Sequence, residues 1–534
     1  MRRIILSLLL CFVATALFSP AQADTAALLD GLKAKGFKAK IAAVEKLAAS
    51  GDDRVVAPLT AMLKGRLHKR KSDGTLVIIK KIDGKKFFFH ALNGKKLGPA
   101  KSRTSKKIRV NNSLRGILRG VLGALTLFSD DPGQRLSAAR TMFKSAGKDS
   151  LSALSKALTR EPDVTNREAL SRTLAGARLR HGSGAEKIAA AKRLAEFPDQ
   201  EVRDLLARSA LSAQGDLLHA VKEAAASIEQ RLAFFNILQN LFQGISLGSV
   251  LLLAAIGLAI TFGVMGVINM AHGEIVMLGA YTTHVVQTTV LGYYPDAVSQ
   301  SLLLSIPAAF LVAGLFGIFL ERSVIRFLYG RPLETLLATW GLSLMLQQFV
   351  RSIFGPTNRE VIAPSWMSGS IEITGGLVLT NNRICIIIFA ALVFLALTLI
   401  IRYTDFGLRM RAVTQNRAMA NAVGIRSNWI DALTFGLGSG VAGLAGVALS
   451  QIDNVSPNLG QSYIIDSFLV VVFGGVGNLW GTLVGALSLG IANKFLEPFA
   501  GAVLGKILIL VLVILFIQKR PRGMFALKGR AVES

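Results

Sequence analysis

The chain has 534 residues, 51% of them hydrophobic, and a formal net charge of +28. Its mean hydropathy of +0.48 excludes an ordinary soluble globule. Two cysteines, Cys11 and Cys385, exclude a disulfide framework, and six histidines among scattered carboxylates show no metal-ligand spacing. The charge is uneven: residues 24–231 hold 41 Lys and Arg against 21 Asp and Glu, and beyond about Asn236 the chain is a series of apolar segments.

Residues 1–23 read as a secretory signal, with Arg2 and Arg3 at the charged start, Ile4 to Phe18 apolar, and Ala21-Gln22-Ala23 as the cleavage site. An uncleaved membrane anchor is the competing reading. Export would make residues 24–231 a basic periplasmic extension. Within it Ala42 to Leu59 resembles Ala189 to Leu206, pairing Leu47 with Leu194, Asp52 with Asp199, Val55 with Val202 and Leu59 with Leu206. Two amphipathic helices around an acidic turn, repeated, is the layout of a helical-repeat array. Residues 66–110 break that pattern. Thr75 to Ile79 and Phe87 to Phe89 flank Asp83-Gly84 as a small β-hairpin insert, and Asn93-Gly94 offers a second turn. Its lysines (Lys80, Lys81, Lys85, Lys86, Lys95, Lys96) suit anionic lipid or an acidic partner, or simply guard strand edges; export argues against nucleic acid.

Nine apolar segments follow, at about 241–263, 271–291, 301–320, 334–354, 383–401, 430–451, 464–475, 481–497 and 503–518. The expected fold is an all-α polytopic membrane domain over 237–518, with eight or nine segments, some broken. A basic tail, 519–534, closes the chain. Two breaks stand out: Gly263 to Gly266 running into Asn269, and Gly474 to Asn478. Broken segments at membrane depth survive only where protein or a water-filled cavity covers them. Asn269, His272 and Glu274 follow the first break, and an ionised group at mid-bilayer costs roughly 3 kcal/mol. With Asn478 they are candidates to line a substrate path; the plainer reading is helix–helix contact at a kink near the cytoplasmic end.

Basic residues mark alternate loops: Arg322, Arg326 and Arg331; then Arg402, Arg409, Arg411, Arg417 and Arg426; then Lys519, Arg520, Arg522, Lys528 and Arg530. Loops 292–300 and 452–463 have no Lys or Arg, so the basic stretches are expected in the cytoplasm. An exported start and a cytoplasmic end require an odd number of crossings, which nine satisfies.

Three long motifs carry a resemblance. GLAITFGVMGVINMAHGEIVMLGAY (257–281), LTFGLGSGVAGLAGVAL (433–449) and LVVVFGGVGNLWGTLVGALSLGIA (469–492) resemble the permease subunits of branched-chain amino acid ABC importers, over roughly residues 237–525. Within that family, residues 321–348 and 354–369, and the long exported extension, resemble the urea-importer branch. The resemblance implies urea transport by alternating access, with branched-chain amino acids or short amides as the alternative cargo. It also implies a second homologous permease, two cytoplasmic ATPases, a periplasmic solute-binding protein and a bacterial inner membrane with its lipid. No G-x-x-x-x-G-K-[ST] loop occurs and no nucleophile motif such as G-x-S-x-G stands out, so an enzyme is not expected and ATP is left to partner subunits. The resemblance makes Val413 to Asn428 the ATPase-coupling segment: Asn416, Arg417, Gly424 and Arg426, with the arginines pairing acidic partner residues and Gly424 turning the chain. Asp453, Asn454 and Asp466 are placed near the external mouth, towards the binding protein, and Trp480 reads as an interfacial anchor. A gradient-driven carrier would instead need Glu274 and Asp466 as ion sites.

Overall fold

The computed structural model describes residues 25–50, 52–82, 85–100, 104–294, 297–373 and 376–525. The expected leader, the Asp83-Gly84 turn and the tail from residue 526 lie outside them. The chain divides into two compact units, Met1–Leu232 and Ala233–Ser534.

In the first unit, helices α1 (Thr25–Asp30), α2 (Phe37–Ala49) and α3 (Val56–Leu63) precede a sheet, and α4 (Asn112–Thr126), α5 (Pro132–Ser145), α6 (Ser150–Arg160), α7 (Val164–His181), α8 (Gly184–Leu194) and α9 (Gln200–Ala210) follow it. The repeat is visible in the packing. Leu47 and Leu194, Val55 and Val202, and Leu59 and Leu206 are all 0% exposed. The acidic turns also match in role: Asp199 accepts from the Val202 N–H at 2.8 Å, and Asp52 from the Arg54 N–H at 2.9 Å. Each supplies an acceptor to backbone donors that a helix start leaves open. Arg135 grips the buried Glu161 with two 2.8 Å hydrogen bonds, and this holds the carboxyl below its usual range.

The insert is larger than a hairpin. Strands β1 (Leu67–Arg70), β2 (Leu76–Ile82), β3 (Lys85–His90), β4 (Lys96–Pro99) and β5 (Ser105–Lys107) form a five-stranded antiparallel sheet in the order β4-β3-β2-β1-β5. β1 and β5 consist mostly of His, Lys, Arg and Ser, so no apolar alternation announces them. Gly94 takes φ +66° in the second turn, as its sequence requires. Lys96 lies 3.8 Å from the centre of the Phe87 ring, so part of the basic surface rests on phenylalanine faces.

Helix α10 (Gly215–Met265) contains the division between the units. The second unit continues with α11 (His272–Tyr293), α12 (Val298–Ser323), α13 (Pro332–Phe354), a short antiparallel hairpin of β6 (Ser370–Glu372) and β7 (Val378–Thr380), and α14 (Asn381–Tyr403). Then come α15 (Asp405–Gln415), α16 (Arg417–Ala422), α17 (Ser427–Leu449), α18 (Leu459–Gly474) and α19 (Leu479–Lys519). Pro498 and a non-helical Gly501 (φ +77°) break α19 into two. Nine helical segments therefore coincide with the nine apolar segments among the described residues.

Among the described residues, five helices are long and apolar enough by themselves to cross a membrane: α10, α12 (with the turn to Phe327), α14, α17 and α19. The core is built on close backbone approach. A side chain on Gly279 of α11 would sit 2.2 Å from the Gly443 carbonyl oxygen of α17, and one on Gly317 of α12 would strike Ser439. In lipid, where apolar side chains gain nothing from leaving water, such small-residue seams are what bring helices together.

Candidate transport site

Helix α10 ends at Met265, and Gly266 turns the chain with φ +69°. His272, the first residue of α11, donates from Nε2 to the Ala254 carbonyl at 2.8 Å. Ala254 lies eleven residues before Met265, or about 16 Å back along the helix at 1.5 Å per residue. Residues 266–271 therefore climb back into the helical layer as non-helical backbone, and α11 starts inside it rather than at its edge. Val267, Asn269 and Ala271 of this climb are buried. Asn269 accepts the Ala271 N–H at 3.0 Å on Oδ1, a cap-like bond that shapes the start of α11.

Glu274 occupies the first turn of α11, where exposed N–H groups favour an acidic side chain. It is 2% exposed, and its Oε1 accepts from Ser343 Oγ and Gln347 Nε2, both at 2.5 Å. Both donors lie on α13, near its middle. Thr339, one turn earlier, accepts the Met270 N–H at 3.1 Å. The buried positions of α13 are Thr335, Thr339, Ser343, Gln347 and Val350, a polar row at four-residue spacing, while Leu337, Trp340, Met345 and Phe349 are exposed. Further along, Tyr281 stacks on Phe354 with ring centres 4.7 Å apart. The two helices thus run parallel, in contact from Met270 to Tyr281. Asn269 Nδ2, Glu274 Oε2 and the Tyr281 hydroxyl have no hydrogen-bond partner among the described residues.

Asn269, His272 and Glu274 thus lie together within the helical layer, bonded to the Ala271 N–H, to Ala254 of α10 and to Ser343 and Gln347 of α13 respectively. The two Gly-rich breaks also meet: a Cβ on Gly263 would lie 2.5 Å from Gly477 Cα. Asn478, expected on the path, is occupied as the cap of α19, accepting the Trp480 and Gly481 N–H groups at 3.1 and 3.2 Å and reaching Phe525 O at 3.4 Å. Trp480 is exposed and meets Phe394 edge-on at 5.3 Å. Thr339, Ser343, Gln347 and Tyr281 were not singled out from sequence; the polar residues every fourth position in 335–347 were the available signal.

The expected coupling segment, Val413 to Asn428, takes in the end of α15, all of α16 and the start of α17, with Asn416 between α15 and α16 accepting the Met419 N–H at 2.9 Å. Gly424 takes φ +89° beyond α16, as a chain reversal there requires. Arg417 does not stand free for a partner. It grips Asp431 of α17, 0% exposed, with bonds of 2.6 and 3.1 Å, and lies 5.4 Å from the Tyr329 ring. Tyr329 in turn donates to the buried Glu321 of α12 at 2.8 Å. This ties α16 to both α12 and α17, while Arg426 remains exposed with Met419 and Val423 beside it. On the other side, Asp453 and Asn454 are exposed, whereas Asp466 is engaged by Lys506 of α19 at 2.9 Å.

Comparison with known proteins fits this architecture. The family described as "Branched-chain amino acid transport system / permease component" matches residues 240–517. The high-affinity branched-chain amino acid transport system permease protein BraD of Pseudomonas aeruginosa is 32% identical over 295 residues, 54% of this chain and 95% of that protein. LivH of Escherichia coli K12, named the same way, is 32% identical over 297 residues, 54% of this chain and 96% of LivH. A weaker likeness, 33% over 113 residues and 35% of its length, is to the ribose import permease protein RbsC of Escherichia coli K12. No solved structure matches. With the family matched over more than half of the chain and relatives covered almost end to end, this chain belongs to the permease family of branched-chain amino acid ABC transport systems.

Proposed function

We propose that the chain is one of two permease subunits forming the membrane path of an ATP-driven importer, and that its cargo is a branched-chain amino acid or a short amide. The observation that carries this reading is the polar cluster of Asn269, His272 and Glu274, held at mid-layer inside a unit that aligns with BraD and LivH over nearly their whole length. Such a cluster bears donors and acceptors with no fixed cation touching it, which suits a solute of no net charge. Energy comes from two partner ATPases that bind the ATP, docking where Met419, Val423 and Arg426 are exposed on and after α16. A periplasmic binding protein delivers the solute at the loop carrying Asp453 and Asn454. The protein sits in the bacterial inner membrane, its extension outside, its tail inside, and the outer face of α13 against lipid.

A second reading, urea, is favoured by one specific observation. BraD and LivH are covered at 95% and 96% by 54% of this chain, so residues 24–231 fall outside both, and the resemblance to the urea branch rests partly on that extension. Uptake of labelled leucine and labelled urea separates the two. Nitrogen-limited cells lacking the gene lose uptake of labelled leucine or of a labelled short amide such as acetamide under the first reading and urea uptake under the second; loss of none of the three overturns the importer.

A further inference from the structure

Where α12 and α17 meet on glycines, they leave a recess on their flank. Gly314 and Gly436 face each other, and a Cβ on the first would lie 3.2 Å from the carbonyl oxygen of the second. Neither has a side chain to fill the space between Leu311 and Leu315 of α12 and Leu433 of α17. Ile400 of α14 and Phe406 of α15 wall the far side, which leaves a cavity of about 290 Å³. Every residue of its wall is phenylalanine, leucine, isoleucine or glycine. A solute made of donors and acceptors would lose its hydrogen bonds there, so the cavity suits no such cargo. It opens sideways, with Leu311, Leu315 and Leu433 exposed by 57%, 65% and 43%. All three of α12, α14 and α17 are apolar enough to cross a bilayer, and such a flank meets hydrocarbon. A helix about 10 Å across would use up the volume within about 4 Å of its length, whereas a single extended chain fits along it.

One end of the slot is basic. Arg322 stands one turn beyond Ile318 of the wall, and Trp429 one turn before Leu433, with the guanidinium 4.3 Å from the centre of the Trp429 ring. Arg402 and Arg409 lie within four residues of Phe406, one on each side, and both are exposed. Residues 400–426 hold five arginines against a single carboxylate, Asp405. Two of the five are engaged elsewhere, Arg411 on the Ile401 carbonyl and Arg417 on Asp431. Glu321, 3.7 Å from Arg322 Nε, is buried and takes the Tyr329 hydroxyl on its other oxygen. Arginine and tryptophan at the end of apolar helices belong at headgroup level. We infer that the slot holds one acyl chain of a phospholipid whose anionic headgroup rests on Arg322, Arg402 and Arg409. The lipid joins α12 and α17 to the α14–α15 bend, which leads into the expected coupling segment. A zwitterionic lipid of the same chain length fills the slot equally well but gains less at the rim, because its own cation faces the arginines.

The test leaves the protein unaltered. The assembled importer is placed in nanodiscs containing a trace of phospholipid with a photoreactive diazirine in its acyl chain. The headgroup of that lipid is either glycerol (anionic) or choline (zwitterionic). After illumination, labelled residues are mapped by mass spectrometry. We expect Leu311, Leu315 and Leu433 to be labelled about fivefold more by the anionic lipid, the effect of roughly one basic side chain. Met345 of α13 and Leu512 of α19, exposed at other faces, should label equally with both lipids. Arg322→Gln with Arg402→Gln should bring the ratio at the slot down to that of the other faces. Equal labelling of the slot by the two lipids would overturn the proposal. So would an unlabelled slot, which would mean that the partner permease covers it. Should the double variant fail to assemble, the comparison of the two lipids on the unaltered protein still decides. None of these readouts depends on the cargo.

Discussion

Three carboxylates show how single residues are tied to the jobs of the two units. Asp431 is fully buried and its charge is met by Arg417, which is 40% exposed. Replacing it with Asn should cost about 2 kcal/mol, below the 3–5 kcal/mol of a wholly buried pair, since the arginine can rehydrate. The larger expected effect is on coupling. Asp431→Asn loosens α16 from α17, so solute moved per ATP hydrolysed should fall several-fold in proteoliposomes while ATP hydrolysis persists; Arg417→Asp with Asp431→Arg should recover part of it. In the extension, Arg135 lowers the carboxyl of Glu161 below its unfolded value, and Lys144 and Arg172 do the same for Glu201. A lowered carboxylate pKa adds stability above the unfolded value, about 4.3, and that stability is lost as pH falls below it. Hydrogen-exchange protection of residues 132–166 should therefore drop between about pH 5 and pH 3, and Glu161→Gln should flatten that dependence.

Whole elements were readable from sequence to very different degrees. The nine apolar helical segments and the repeat were legible because each shows as apolar density or as period in one dimension: Leu47, Val55 and Leu59 reappear as Leu194, Val202 and Leu206, all buried. β1 and β5 were not, since a strand paired through His68, Lys69 and Lys106 has no alternation to read. Nor was the depth of Glu274. A polar run between apolar segments looks the same whether it lies at an edge or climbs inward, and only the bond from His272 to Ala254 places it. Glycines give the sharpest element-scale prediction. Gly279→Val would drive Cβ into the Gly443 carbonyl and force α11 from α17, so the protein should fail to accumulate in membranes, measured by immunoblot. Gly341→Ala on α13, with nothing within 4 Å of the new Cβ, should accumulate normally.

At the scale of the molecule, charge and hydropathy divide the chain where contacts do. The basic excess of 24–231 falls in the first unit and the apolar segments in the second. The proposed orientation predicts a clean asymmetry. Trypsin added outside intact spheroplasts should cut the lysine-rich 66–110 region and spare the Arg402 to Arg426 stretch, while permeabilised cells should lose both. Cutting at Arg409 or Arg411 in intact spheroplasts would reverse the assignment.

The polar row on α13 also bears on how the chain is made. Neither α11 nor α13 is among the five helices apolar enough to enter a bilayer alone, whereas α12 between them is. During synthesis the two less apolar helices are expected to be stabilised in lipid by the Glu274 contacts to Ser343 and Gln347. A substitution that removes them should appear first as degraded nascent protein, before any defect in transport can be seen.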